Sequence, residues 1–250
     1  MSTWLFDLGN SRLKCAPLCE GRVGEGAVGE VLDVDHDGDD FASGWVERLP
    51  PQIDTAFVAS VATPALTATL LDALTQRCVR ISLGRTQRAC GGVRIAYADP
   101  GKLGVDRFLT LLAAHARAPK PWLVVGVGTA LTIDLLDADG RHRGGRIAPS
   151  PTLMREALHA RAPHLPSSGG TYAEFADDTA DALASGCEGA ALALIARSVD
   201  AATTQLGIAP RVLLHGGGAR VLWPRVDAAA FAPALVLEGL ARWASTLAVA

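Results

Sequence analysis

Lysine is scarce in this chain. Of its 23 basic residues, 20 are arginine and only Lys14, Lys102 and Lys120 are lysine. Excess charge is missing too: the net charge is −3 with 20% charged residues. No diffuse basic field exists to hold nucleic acid or an acidic lipid surface. The five cysteines (Cys15, Cys19, Cys78, Cys90, Cys187) include no C-x-x-C pair, and the six histidines include no H-x-x-x-H spacing. That excludes a zinc module or a disulfide framework, and the thiols are read as reduced. Met1-Ser2-Thr3-Trp4-Leu5-Phe6-Asp7 has no basic n-region and meets an acid at once, so no signal peptide is expected. Trp122 to Ile133 is read as the longest apolar run, and it is broken by Gly126, Gly128 and Thr129. It falls short of the roughly 20 residues that span a bilayer. The expectation is a cytoplasmic protein with neither a membrane nor a nucleic-acid partner.

What is present is a large apolar fraction, 49% over 250 residues, enough for a sizeable core and too much for a disordered chain. Thr3 to Leu8 reads as a strand, Gly9-Asn10 as a tight turn, and Arg12 to Leu18 as a second strand. Glu20-Gly21-Arg22 turns into a third strand ending near Asp33. A helix is expected around Asp39 to Leu49, a buried strand at Ile53 to Ser60, a helix opening at Pro64, and a strand at Cys78 to Leu83. Leu103, Phe108, Leu111, Leu112 and His115 recur at helical steps until Ala118-Pro119-Lys120-Pro121 stops them. The opening pattern then returns: a strand at Leu123-Val124-Val125, a glycine turn, a strand at Leu131 to Leu136, and a third after Asp139-Gly140. Helices follow at Thr152 to His159, Thr179 to Gln205 and Glu238 to Val249, with a strand at Val212-Leu213-Leu214 before Gly216-Gly217-Gly218. The duplicated segments are Leu5 to Ser11 and Val124 to Ala130. They predict an α/β chain of two lobes, 1–118 and 119–250, with a cleft between them.

Three segments carry candidate chemistry. In Asp7-Leu8-Gly9-Asn10-Ser11 the hairpin turn can aim backbone N–H groups at an anion. Ser11 adds a hydroxyl, Lys14 a cation, and Asp7 a carboxylate for a metal ion on phosphate. In Gly104-Val105-Asp106-Arg107 the glycine lets a ligand approach the backbone. Asp106 sits in the first turn of a helix, where the dipole favours a carboxylate, and is a candidate general base. Arg107 can grip a substrate carboxylate through two nitrogens. Gly216-Gly217-Gly218 leaves room for a flat ring such as adenine. Asp33-x-Asp35-x-Asp37-Gly38 imitates half of a calcium loop, but position twelve is Gly44 where a glutamate is required. A solvated acidic loop accounts for it. His115, His142, His159 and His164 are assigned to helix faces and loops.

Taken in order, these segments resemble the type III pantothenate kinases, the Bvg accessory factor family, nearly end to end. Asp7-Leu8-Gly9-Asn10-Ser11 resembles the family's D-x-G-N-T/S loop, and Gly104 to Arg107 its G-x-D-R motif. Gly128 to Asp134 resembles its second phosphate motif, Gly144 to Pro149 its G-G-x-I-x-P segment, and Asp178 to Gly186 its N-T-x-x-A-I-x-S-G segment. The resemblance implies a duplicated actin-like (ribonuclease H-like) ATPase fold, and ATP-dependent phosphorylation of pantothenate, the first step toward coenzyme A. By carry-over Asp106 is the base. Asp7, Leu8, Gly9, Asn10, Ser11, Arg12, Leu13, Lys14 and Thr129 hold ATP. Tyr97, Gly104, Val105, Asp106 and Arg107 bind pantothenate, with Thr179 contributed across a homodimer interface. Mg²⁺ is implied, with Asp7 as its ligand, together with a monovalent cation, potassium or ammonium. The chain departs from the family at the cation's position, where Gly126 stands in place of an aspartate. It departs again where Ser150 replaces a glycine and Asp178 an asparagine. Gly126 keeps a second reading open, a nucleotide-binding accessory protein without turnover. A kinase for another small hydroxy acid or sugar is a third.

Overall fold

The computed structural model describes residues 2–19 and 28–247. The turn expected at Glu20-Gly21-Arg22 and the last residues of the C-terminal helix lie outside them. The elements in order are β1 (Thr3–Leu8), β2 (Arg12–Pro17), β3 (Leu32–Asp35), β4 (Ile53–Ser60), α1 (Pro64–Thr75) and β5 (Cys78–Leu83). Short strands β6 (Ala89–Cys90) and β7 (Val93–Arg94) precede α2 (Val105–Arg117), β8 (Trp122–Val127), β9 (Ala130–Leu136) and β10 (His142–Pro149). Then come α3 (Pro151–Arg161), α4 (Thr179–Leu206), β11 (Arg211–His215), α5 (Ala219–Leu222), β12 (Ala230–Phe231) and α6 (Leu235–Leu247).

By its contacts the chain divides into two units. The first holds Met1–Pro119, Ala138–His142 and Ala234–Ala250, and the second Lys120–Asp137 and Arg143–Pro233, counting the described residues within those bounds. The first break falls one residue after the expected Ala118. The expected 119–250 lobe gives up its last helix: α6 packs along α2 in the first unit. Gly239 permits that close approach, because a Cβ there would run into the Leu109 carbonyl.

Each unit has a five-stranded sheet, β3-β2-β1-β4-β5 in the first and β10-β9-β8-β11-β12 in the second. Pairing repeats as well: β1 is antiparallel to β2 and parallel to β4, as β8 is antiparallel to β9 and parallel to β11. Among these parallel central strands β8 is an apolar run buried throughout, and β4 is buried at six of its eight positions, as strands covered on both faces are. In the first unit Leu66, Leu70 and Leu74, one helical face of α1, press on Phe6, Ile53 and Val58 in one core. Each buried leucine contributes roughly 1.5–3 kcal/mol. Local signals set the helix starts: Thr63 accepts from the Leu66 N–H ahead of Pro64, and Asp178 accepts from Ala180 and Asp181 at the head of α4. Such caps hold backbone N–H groups that no helical carbonyl reaches.

Two expectations change. The helix expected at Asp39 to Leu49 is a loop with a short 3-10 turn, Val46–Arg48. Its Phe41, Trp45 and Leu49 are buried, but local hydrogen bonds compete with a helix. Asp37 Oδ1 accepts from the N–H groups of Asp39 and Asp40 at 2.9 and 2.8 Å, closing an aspartate turn instead. The apolar-run reading overlooked α4, which by length and composition alone is long and apolar enough to cross a bilayer. Glu188 and Arg197 interrupt it. Its stripe Ala184, Cys187, Ala191, Ile195, Ser198 and Ala202 is buried at the spacing of a helix lying on a sheet.

Candidate active site

Asp7, one residue before the end of β1, lies opposite Lys14 in the β1–β2 register. The turn between these strands is pinned by the Gly9 N–H donating to the Arg12 carbonyl at 3.0 Å. Asn10, Ser11 and Arg12 are exposed, whereas Leu8 and Leu13 are buried and anchor the two strands. The exposed turn from Asn10 to Arg12 thus stands on strands held by buried leucines.

Gly104 is the N-cap of α2, and Val105, Asp106 and Arg107 form the helix's first turn. The Asp106 carboxylate folds back over Gly104: a Cβ at that position would lie 2.5 Å from Asp106 Oδ1. Glycine at 104 thus makes room for the carboxylate itself. The fold also brings Asp7 and Asp106 together. Burial lifts the Asp7 carboxyl from its ordinary 3.8 to about 7, the neighbouring charge of Asp106 adds to the rise, and Lys14 opposes it. The Asp7 carboxylate at this hairpin is an oxygen donor of the kind Mg²⁺ takes beside phosphate oxygens, so the residue fits that ion.

The sign of the Asp7 shift has a measurable consequence. A carboxyl that is harder to ionise in the fold than in the unfolded chain contributes fully below its unfolded value. That contribution is lost as pH climbs from about 4 towards 7. Denaturant titrations of the ligand-free protein are expected to show stability falling through that window, and a flatter profile for Asp7→Asn. Identical profiles for the two proteins would refute the buried-acid account.

Arg107 is buried, 6% exposed. Its Nη1 donates to Tyr97 Oη at 3.5 Å, and its guanidinium lies 6.0 Å from the Tyr97 ring centre. Tyr97 stacks on His142, with ring centres 5.9 Å apart and planes 25° apart. The Ala96 N–H donates to His142 Nδ1 at 3.4 Å. The sequence places His142 on a loop or helix face. It instead opens β10, buried beneath Tyr97, and no local pattern announced the pairing across 45 positions of chain.

The remaining expected residues lie in the second unit. Thr129 is exposed in the β8–β9 turn, and Thr179 is exposed at the first position of α4. Gly126 pairs with Thr132 on one side and His215 on the other. A Cβ at Gly126 would lie 2.7 Å from both Thr132 Oγ1 and His215 Nε2. The space an aspartate would need is thus taken by a hydroxyl and an imidazole. The Gly216–Gly218 segment has a packing explanation: a Cβ at Gly218 would stand 2.8 Å from Val127 Cγ1, and the Gly218 N–H donates to the Val127 carbonyl at 3.0 Å. Only Gly217 faces open space.

A strand order repeated in two units, with a glycine turn joining the first two strands of each, defines the actin-like ATPase class. A solved archaeal actin homologue matches with TM-score 0.50 at 10% identity, covering 100% of both chains. A Baf family protein from Campylobacter jejuni matches with TM-score 0.66 at 19% identity, covering 99% of this chain and 100% of that one. Likeness at such identities speaks for the fold alone. The family is decided by sequence. The family model for type III pantothenate kinase matches residues 4–201, and the Type III pantothenate kinase of Stenotrophomonas maltophilia (strain K279a) is 61% identical over 244 residues, 98% of each chain. The chain belongs to the type III pantothenate kinase family.

Proposed function

We propose that this protein phosphorylates the primary hydroxyl of pantothenate with ATP, yielding 4′-phosphopantothenate for coenzyme A synthesis. The observation that carries the chemistry is the Asp106 carboxylate, seated over Gly104 at the head of α2 and near enough for its charge to raise the Asp7 carboxyl. Asp106 takes the proton of the attacking hydroxyl. Arg107 binds the pantothenate carboxylate with Tyr97 beside it, and the main chain at Gly104 and Val105 completes that pocket. Asp7, Leu8, Gly9, Asn10, Ser11, Arg12, Leu13 and Lys14, with Thr129, hold ATP. Mg²⁺, when bound at Asp7, neutralises phosphate charge. The chain's own contribution is positioning and fixed charge, which supply most of the rate in phosphoryl transfer.

The monovalent cation does not fit in the same way. Gly126 has no side chain, and Thr132 and His215 fill the space where one would stand. We expect turnover to proceed without it. A coupled assay of ADP release with pantothenate and Mg-ATP tests both points. Exchange of potassium for choline at constant ionic strength should change kcat by less than about twofold. Absence of turnover in both salts would sink the kinase assignment. Strong activation by potassium or ammonium would sink only the cation-independence. A panel of hydroxy acids and sugars in the same assay separates pantothenate from other acceptors. The accessory-protein reading has no observation behind it beyond Gly126 itself.

The enzyme works as a homodimer in the cytoplasm. Supporting the dimer is an open apolar groove of about 670 Å³ between α3 and α4, lined by Leu153, Met154, Leu158, Leu183 and Cys187. Phe175, 98% exposed, stands just ahead of Thr179, so apolar surface and the proposed pantothenate contact lie on one stretch of chain. The five free thiols suit a reducing compartment.

A further inference from the structure

The acidic segment Asp33 to Gly38 has no part in the chemistry above, yet it runs beside the phosphate hairpin. β3 pairs with β2 so that Asp35 lies opposite Arg12, and the two side chains form an exposed ion pair at 3.3 Å. Beyond β3 the chain turns on the Asp37 carboxylate, and this turn presents His36. The His36 ring meets Phe41 edge-on, ring centres 5.9 Å apart, and its Nε2 lies 3.1 Å from the Gly9 carbonyl oxygen. A carbonyl only accepts, so Nε2 carries the proton and donates.

We propose that His36 is a positioning residue for the ATP-phosphate hairpin: its Nε2–H, donated to the Gly9 carbonyl, sets the Gly9–Asn10 peptide so that the Asn10 N–H is presented to phosphate. The reason is the planarity of the peptide bond. The carbonyl of Gly9 and the N–H of Asn10 point to opposite sides of one rigid plate. Holding the oxygen on the His36 side therefore holds the N–H on the other. Glycine at 9 leaves this plate freer to rotate than any other residue would, so a separate tether has something to do. The ring's other nitrogen argues against simple packing. His36 Nδ1 is buried with no hydrogen-bond partner among the described residues, a cost that an apolar ring against Phe41 would avoid. The Nε2 contact accounts for a histidine here.

This inference rests on the ATP role given to the hairpin, and its test reads the two separately. One readout is the Asn10 amide, by ¹⁵N resonance and hydrogen exchange in the ligand-free protein. The other is Mg-ATP binding by calorimetry, with pantothenate KM measured alongside. In His36→Ala the Asn10 resonance should move and its exchange should quicken. Kd for Mg-ATP should rise about tenfold, as for one lost hydrogen bond, with pantothenate KM unchanged. His36→Gln carries an amide N–H close to the place of Nε2–H, and should restore most of both. An unmoved Asn10 amide in His36→Ala would overturn the proposal, as would equal losses in the Ala and Gln variants. A wild-type protein that binds no Mg-ATP would overturn the hairpin's assigned role, while the Asn10 measurement still decides whether His36 sets the peptide.

Discussion

Asp106→Asn is expected to bind Mg-ATP as the wild type does and to lose roughly 10²–10⁴ in kcat, the contribution of a positioned general base. Asparagine has the shape of aspartate, so it fits above Gly104 as the carboxylate does. It keeps the start of α2 intact and removes only the charge proposed to accept the proton. Steady-state kinetics with pantothenate, alongside calorimetric ATP binding, separates loss of chemistry from loss of binding. A second signature follows from the neighbouring acid. Because the charge of Asp106 helps raise Asp7, the Asp7 carboxyl should titrate lower in the variant. Near-normal kcat would remove Asp106 from its role as base and leave the hydroxyl proton without a named acceptor.

The largest effect on stability is expected at Arg117. Its Nη2 meets Glu238 Oε2 at 2.5 Å, joining the last turn of α2 to the first turn of α6, with side-chain exposures of only 12% and 11%. Each charge also suits its helix end, a cation at the C-terminus and an anion at the N-terminus. Arg117→Met leaves Glu238 buried without its ion partner, and should cost about 3–5 kcal/mol in denaturant unfolding. Replacing both residues with apolar ones, Arg117→Met with Glu238→Leu, should recover most of that loss, since the penalty comes from an uncompensated buried charge more than from a missing attraction. If the single variant unfolds at the wild-type midpoint, α6 is held by its apolar face and by the close contact at Gly239 alone.

Much of the fold was legible in the chain because its signals are local. Ile53 to Ser60 and Cys78 to Leu83 were read as strands and are β4 and β5 to the residue. Pro64 and Pro119 mark helix ends by backbone chemistry that needs no partner. The two β-turn-β units were legible for the same reason. The loop at Asp39 to Leu49 has the apolar spacing of a helix, and the Asp37 turn that decides against one lies upstream of it. Strands of two residues, β6, β7 and β12, carry too little pattern to announce themselves.

The sequence by itself determined most of the longer elements, their duplication and the short motifs, since propensity, capping and turn chemistry act over a few residues. Only the tertiary structure decided which distant groups meet. It set Asp7 against Asp106, His36 on the Gly9 carbonyl, His142 under Tyr97, Thr132 and His215 over Gly126, and α6 against the first unit. Those meetings depend on how sheets and helices pack, and burial gives a side chain its charge state and its neighbours only after the chain has closed around it.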